Sequence, residues 1–300
     1  MTRVARLVLA ALATVALAPA ARAQRPIKVY ISADMEGVAG AVTADQLLPT
    51  GFEYERFRQF MTSEVLAAIQ GAREAGATEF VISDSHGNQE NLLIEQFPTD
   101  ATIIRSAPRP LGMMEGIDSS FAAAVFIGYH ASTTSPAGVR AHTFSSANLA
   151  AVYLDGVAMP EAGVNAAIAG EFGVPVVAIS GDNVAVAEAQ HLLGPIEGAV
   201  VKRALGFHSA ATMTPQAAQA LIREKVRAGV QRRAELHPYI AKAPIHLGLT
   251  FKNYRPAEVL SYLPIVQRTS SHAIEFVGRD MVEVSRFVEF ALSYSPELSP

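Results

Sequence analysis

Strand-like and helix-like patterns alternate along the chain, which predicts an α/β fold: a mostly parallel sheet flanked by helices, with a smaller C-terminal α+β unit. Three observations carry the prediction. Short apolar runs recur, separated by helical segments with start and stop signals of their own, and one run, "VPVVAISGD", is continuously apolar, as in a strand covered on both faces. A third is the change of texture beyond about residue 205, where charged amphipathic segments replace the small apolar ones.

Taken in order, the first strand spans Ile27 to Ala33, and a helix follows from about Glu53 to Ala75, with Gly76 as its stop. A strand over Glu79 to Ser83 comes next, then a short helix near Gln89 to Glu95. Further strands lie at Thr102 to Arg105, Ala123 to Gly128 and Leu149 to Leu154, the last turning at Asp155-Gly156. The helix "PEAGVNAAIAGEFG" opens on Pro160 and closes at Gly173. Thr214 caps an amphipathic helix that starts with Pro215 and runs to Arg233. Then "APIHLGLTF" reads as a strand, "RPAEVLSYL" as a helix and "SHAIEFVG" as a strand, and Asp280 caps a last helix through about Ser293. The expected partition is 1–23 as a signal segment, 24–205 as the metal-binding α/β domain and 206–300 as the smaller α+β domain.

With 300 residues, half of them hydrophobic and 17% charged, the chain can bury a large core. A formal charge of -4 without blocks of either sign argues against nucleic acid and against a polybasic membrane patch. Residues 1–23 differ from the rest. Arg3 and Arg6 precede an apolar stretch from Leu7 to Leu17, and Ala21-Arg22-Ala23 forms a processing site, so a cleaved secretory signal is expected, with the mature chain starting near Gln24. The stretch is short for a membrane span, and no membrane association is expected after cleavage. The location that follows is periplasmic or secreted. There is no cysteine, which excludes disulfides, thiolate ligands and thiol nucleophiles.

The chemistry lies at the ends of the apolar runs. "IKVYISADMEGVAG" ends on Asp34 and Glu36, "EFVISDSHGN" on Asp84 and His86, and "AAAVFIGYHA" on His130. In open α/β sheets ligands bind beyond the carboxyl ends of the strands. Side chains two apart on extended backbone face the same way, so Asp34 and Glu36 can converge on one point. Glu161 adds an acid at a loop-to-helix junction. Carboxylate plus imidazole is the donor set of zinc and related ions. Five such residues, Asp34, Glu36, His86, His130 and Glu161, exceed what one catalytic zinc usually takes, whereas two metals sharing a bridging carboxylate would use them all. Asp34 is the expected bridge. Singly, each has an ordinary explanation: a turn or capping acid, a loop histidine, a core histidine, or an acid favoured by a helix dipole. Asp84 is expected to be such a turn acid. The pattern alone leaves both readings open.

The motifs "SADMEGVAG", "SDSHGNQENL", "FIGYHA", "AHTFSS" and "MPEAGVNAAIAGEFGVPVV" resemble, in order and spacing, the zinc D-aminopeptidase family, metallopeptidases that release D-amino acids from short peptides. The resemblance is densest from Lys28 to Asp182. It implies a dinuclear centre, with two zinc ions per subunit held by Asp34, Glu36, His86, His130 and Glu161, and His142 as the catalytic histidine. It also implies a short peptide substrate with a free N-terminus, and a homo-oligomer, a closed decamer with an inner chamber. Zinc lowers the pKa of bound water to about 7, which provides a nucleophile for an amide at neutral pH. His142 follows a loop, from which it could deliver a proton to the leaving amine or stabilise the oxyanion. His191, His208, His237, His246 and His272 stand outside the constellation. No G-x-S-x-G, H-E-x-x-H or Walker motif is present. Familiar members of the family are cytoplasmic, so the export signal is a departure that bears on the natural substrate. The rival expectations are a dinuclear metal amidohydrolase or esterase, and a periplasmic metal- or solute-binding protein without turnover.

Overall fold

The computed structural model describes residues 26–294; the expected signal segment, residues 1–23, lies outside them. The chain runs β1 (Ile27–Ala33), α1 (Ala44–Leu47), α2 (Tyr54–Glu74), β2 (Ala77–Asp84), β3 (Ala101–Ile104), β4 (Ala123–Tyr129), β5 (Leu149–Leu154), β6 (Val157–Ala158), α3 (Glu161–Glu171) and β7 (Val176–Asp182). It continues through α4 (Asn183–Leu193), β8 (Glu197–Gly206), β9 (Ser209–Thr212), α5 (Pro215–Gln231), β10 (Ile245–Phe251), α6 (Tyr254–Leu260), β11 (Val266–Arg268), β12 (Ala273–Gly278) and α7 (Met281–Ser293).

Seven strands form the main sheet in the order β3-β2-β1-β4-β7-β8-β9, all parallel except the β8–β9 hairpin. The chain winds outward from β1 through β2 to β3, then returns to β4 and winds the other way. The crevice between β1 and β4 is therefore the switch point where such sheets bind ligands. A second, antiparallel sheet has the order β11-β12-β10-β5-β6.

Alternation along β1 shows how the sheet is covered. Val29, Ile31 and Ala33 join the core beneath α2 and α5, whereas Tyr30 joins the opposite core, with α3, α7 and the second sheet. Both faces are dry, which explains the continuous apolar runs. Helix α3 is buried almost all round, and its small residues permit this: a Cβ at Gly170 would lie 1.9 Å from the Tyr239 carbonyl oxygen.

Most expected elements are present, and the caps at Thr214 and Asp280 accept from Ala217 and Glu283 as their positions predict. Several features differ from the sequence reading. The short helix expected near Gln89 to Glu95 is a loop with only a 3-10 turn at Ile94–Gln96, because the Asp84 carboxylate takes the backbone amides of Asn91 and Leu92. Helix α4 and strands β8 and β9 were not expected; α4 follows β7 without a break, capped by Asp182. The sheets do not divide the chain at residue 205: β5 and β6 belong to the second sheet with β10, and α5 packs on α2 against the first.

Candidate metal centre

The order β2-β1-β4 sets three ligand-type ends side by side. Asp34 and Glu36 follow β1, His86 follows β2 and His130 follows β4, while Glu161 opens α3 from the other side. All five are buried. Backbone meets backbone here: a Cβ at Gly37 would lie 2.1 Å from the Tyr129 carbonyl oxygen, and one at Gly128, whose φ is +72°, 2.1 Å from that of Asp34. Only glycine permits these strand ends to close up.

Hydroxyl groups next to the ligands tie the same segments together. The Tyr129 hydroxyl donates to Ser32 Oγ at 2.7 Å and accepts from Asn165 Nδ2 at 2.9 Å. Ser32 Oγ lies 2.9 Å from Ser85 Oγ. One chain of hydrogen bonds thus joins β1, the end of β2, β4 and α3 beneath the site. Asp84 plays the turn role expected of it, holding the loop that follows His86 through Asn91 and Leu92, and Asn91 Nδ2 also donates to the His86 carbonyl at 2.7 Å.

The carboxylates and imidazoles form two triads, Asp34–Glu36–His86 and His130–His142–Glu161. His86 Nδ1 lies 2.8 Å from Glu36 Oε2 and 3.2 Å from Asp34 Oδ1. His130 Nε2 lies 3.3 Å from both Asp34 Oδ2 and Glu161 Oε2. The two oxygens of Asp34 therefore face different triads. His142 stacks on His130 with ring centroids 4.0 Å apart, and its Nε2 is 3.9 Å from Glu161 Oε1.

Each imidazole has a carbonyl on its far nitrogen: Leu47 O for His86, Ala131 O for His130 and Arg140 O for His142, at 2.8, 3.0 and 2.7 Å. A neutral ring that donates there presents a lone pair on its other nitrogen. At His86 and His130 that lone pair meets carboxylate oxygens, which is repulsive unless a proton or a cation lies between. Without a cation the protons must supply the compensation. Burial opposes charge on His86, but Glu36 and Asp34 outweigh it and hold the ring well above the usual imidazole range. His130 is raised likewise, against its burial, chiefly by Glu161. Burial, with the negative charge of Glu36, pushes Asp34 up, and Asp34 Oδ2 is buried with no hydrogen-bond donor. Orphaned carboxylate oxygen, oriented lone pairs and a nitrogen–oxygen donor set fit divalent zinc in both triads.

The triads open into a cleft of about 430 Å³, lined by Leu47, Met113, Phe144 and Leu292 as well as by the polar residues. The other five histidines stay outside that lining, as expected. Sequence reasoning missed two buried charges beneath the centre, Glu64 and Lys202. Burial raises Glu64 to about 7 and lowers Lys202 to about 8. Glu64 was detectable, since it falls on the core-facing spacing of α2 with Phe57, Met61 and Ala68. Lys202 shows only as a charge inside the apolar run of β8.

Fold and donor set together define a metal-dependent hydrolytic enzyme. More narrowly, the chain belongs to the D-aminopeptidase family, whose sequence pattern matches residues 27–290. It is 32% identical over 259 residues to a D-aminopeptidase of Bacillus subtilis (strain 168), covering 86% of this chain and 93% of that relative. The solved structure of the zinc-dependent D-aminopeptidase DppA from Bacillus subtilis, described as a self-compartmentalizing protease, matches with a TM-score of 0.85 and 30% identity. That match covers 90% of this chain and 99% of DppA.

Proposed function

We propose that the chain is a dinuclear zinc aminopeptidase that removes N-terminal D-amino acids from short peptides. The observation that carries the dinuclear reading is the division of Asp34, with Oδ1 turned to His86 and Oδ2 to His130. In this reading Asp34 bridges, Glu36 and His86 complete one zinc site, and His130 and Glu161 complete the other. When bound, zinc supplies a Lewis acid that polarises the scissile carbonyl and makes water nucleophilic at neutral pH.

The chain's own groups supply position and protons. Arg140 O fixes the Nδ1–H of His142, so its Nε2 faces Glu161 and can carry a proton to the leaving amine. His142 is the most exposed member of its triad and the farthest from Glu161, which suits a proton carrier better than a ligand. Glu161 Oε1 is also anchored by the Phe144 amide at 2.6 Å, which ties the His142 loop to α3. The apolar lining around the triads surrounds the residue being released and displaces water from it.

Two further parts of the proposal have their own support. A periplasmic or secreted location rests on the signal pattern of residues 1–23. No helix among the described residues is long and apolar enough to cross a membrane. Assembly into a closed homo-oligomer, a decamer by family resemblance, draws on the description of DppA as self-compartmentalizing. The test of the activity is metal analysis of the purified chain with release of D-alanine from D-alanyl-D-alanine. Two zinc ions per chain, fewer in Asp34→Ala, and turnover of the D but not the L dipeptide are expected. Turnover without zinc, or full zinc retention in Asp34→Ala, refutes the reading.

A further inference from the structure

Glu36 stands on a loop, residues 35–42, that leaves β1 and curls back under the metal centre. The carbonyl oxygens of Glu36, Val38 and Ala41 turn to a single point, and the Lys202 ammonium occupies it, donating to all three. An ammonium has three donors, so the match is complete. Among the described residues no carboxylate lies within ion-pair distance of Lys202, although only 2% of it is exposed. From the other side Glu64, on α2, accepts from the Ala39 amide at 2.9 Å. The loop is thus held between a donor from the sheet and an acceptor from a helix, and neither group reaches the cleft.

Burying a lysine is costly, and a plain core would place an apolar side chain there. Its use lies in what it gathers. Carbonyls that point together repel one another without a cation between them, and the first of these carbonyls is Glu36's own. The same positive charge lies beneath Asp34 and Glu36 and offsets part of their mutual repulsion.

We propose that Lys202 is a positioning residue for the metal centre: its ammonium holds the loop that carries Glu36 and so keeps that carboxylate oriented before a metal binds. The inference rests on the reading of Glu36 as a zinc ligand. Its test is zinc titration of the metal-free full chain against a competing chelator, with the wild type, Lys202→Met and Lys202→Ala compared. In Lys202→Met one of the two zinc equivalents binds about tenfold or more weakly, as for the loss of an outer partner, while the other is unchanged. In Lys202→Ala, ethylammonium restores zinc affinity, whereas tetramethylammonium, which cannot donate, does not. Wild-type affinity for both equivalents in Lys202→Met, or equal weakening of both with no rescue by ethylammonium, overturns the proposal.

A measurement on the unaltered protein keeps the proposal open to refutation even where a variant fails to fold. The amides of Gly37, Ala39 and Ala41 are expected to exchange slowly in the metal-free wild type and to be slowed little further by zinc. Fast exchange that slows only when zinc is added means that the metal, not Lys202, orders the loop. Should Glu36→Ala bind both zinc ions as the wild type does, the ligand reading of Glu36 fails, while the exchange experiment still reports whether the loop is ordered without metal.

Discussion

Replacing Glu64 by Gln removes a buried charge without changing the shape of the side chain, and its effect on stability depends on pH. Burial raises the carboxyl of Glu64 from 4.5 to about 7, against the Ala39 amide and the charge of Lys202, which both pull it down. In the unfolded chain the proton leaves near 4.5; in the folded chain it stays until about 7. Between those values the folded state binds the extra proton, so stability falls as pH rises through the window. The penalty is fully present above pH 7. At about 1.4 kcal/mol for each tenfold change, the cost between pH 5 and pH 8 is about 2 to 3 kcal/mol. Gln has no proton to lose and escapes it. Urea unfolding of the metal-free chain in chelator, at pH 5, 6 and 8, measures the difference between Glu64→Gln and wild type. The gap is expected to move in favour of the variant by about 2 to 3 kcal/mol from the lowest pH to the highest. A gap that stays constant with pH shows that Glu64 does not change protonation across that range, and refutes the reasoning.

Other substitutions test other parts of the site. Gly128→Ala places a Cβ against the Asp34 carbonyl oxygen at a φ of +72°; destabilisation of about 2 kcal/mol or more in denaturant titration is expected, together with weaker zinc binding. Tyr129→Phe strips the hydroxyl that joins Ser32 to Asn165, at a cost of about 1 to 3 kcal/mol in the same assay, and no loss of stability would mean that this bridge makes no net contribution to folding. His142→Ala lowers kcat by roughly 10²–10⁴ with zinc content unchanged, as for a lost proton carrier; loss of one zinc instead makes His142 a ligand. Chelation abolishes turnover, and zinc added back to the metal-free protein restores it.

The site was more legible in the sequence than the fold was. Asp34, Glu36, His86, His130 and Glu161 each stand where an apolar run or a helix begins or ends, and the structure brings all five together, with His142 beside them. A polar group that follows directly on a buried run has to be solvated, bonded or ligated, so its position is informative without neighbours. Helix α4 was illegible for the opposite reason. Its cap, Asp182, is also the last residue of β7, so no turn separates the strand from the helix. The β8–β9 hairpin carries polar and small residues at a sheet edge, where periodicity is weak.

Local chemistry along the chain determined the donor set, the turn role of Asp84, the caps at Thr214 and Asp280, and the strands that end at the site. Those features depend on residue type and spacing within a few positions, which one chain states in full. Tertiary structure alone decided that β5 pairs with β10, that the two oxygens of Asp34 face different triads, and that a lysine from β8 lies under a loop that begins more than a hundred and fifty residues earlier. Such pairings depend on strand order and on which backbone comes to rest against which. No local pattern encodes them, because the energy that selects them belongs to contacts between segments remote in the chain.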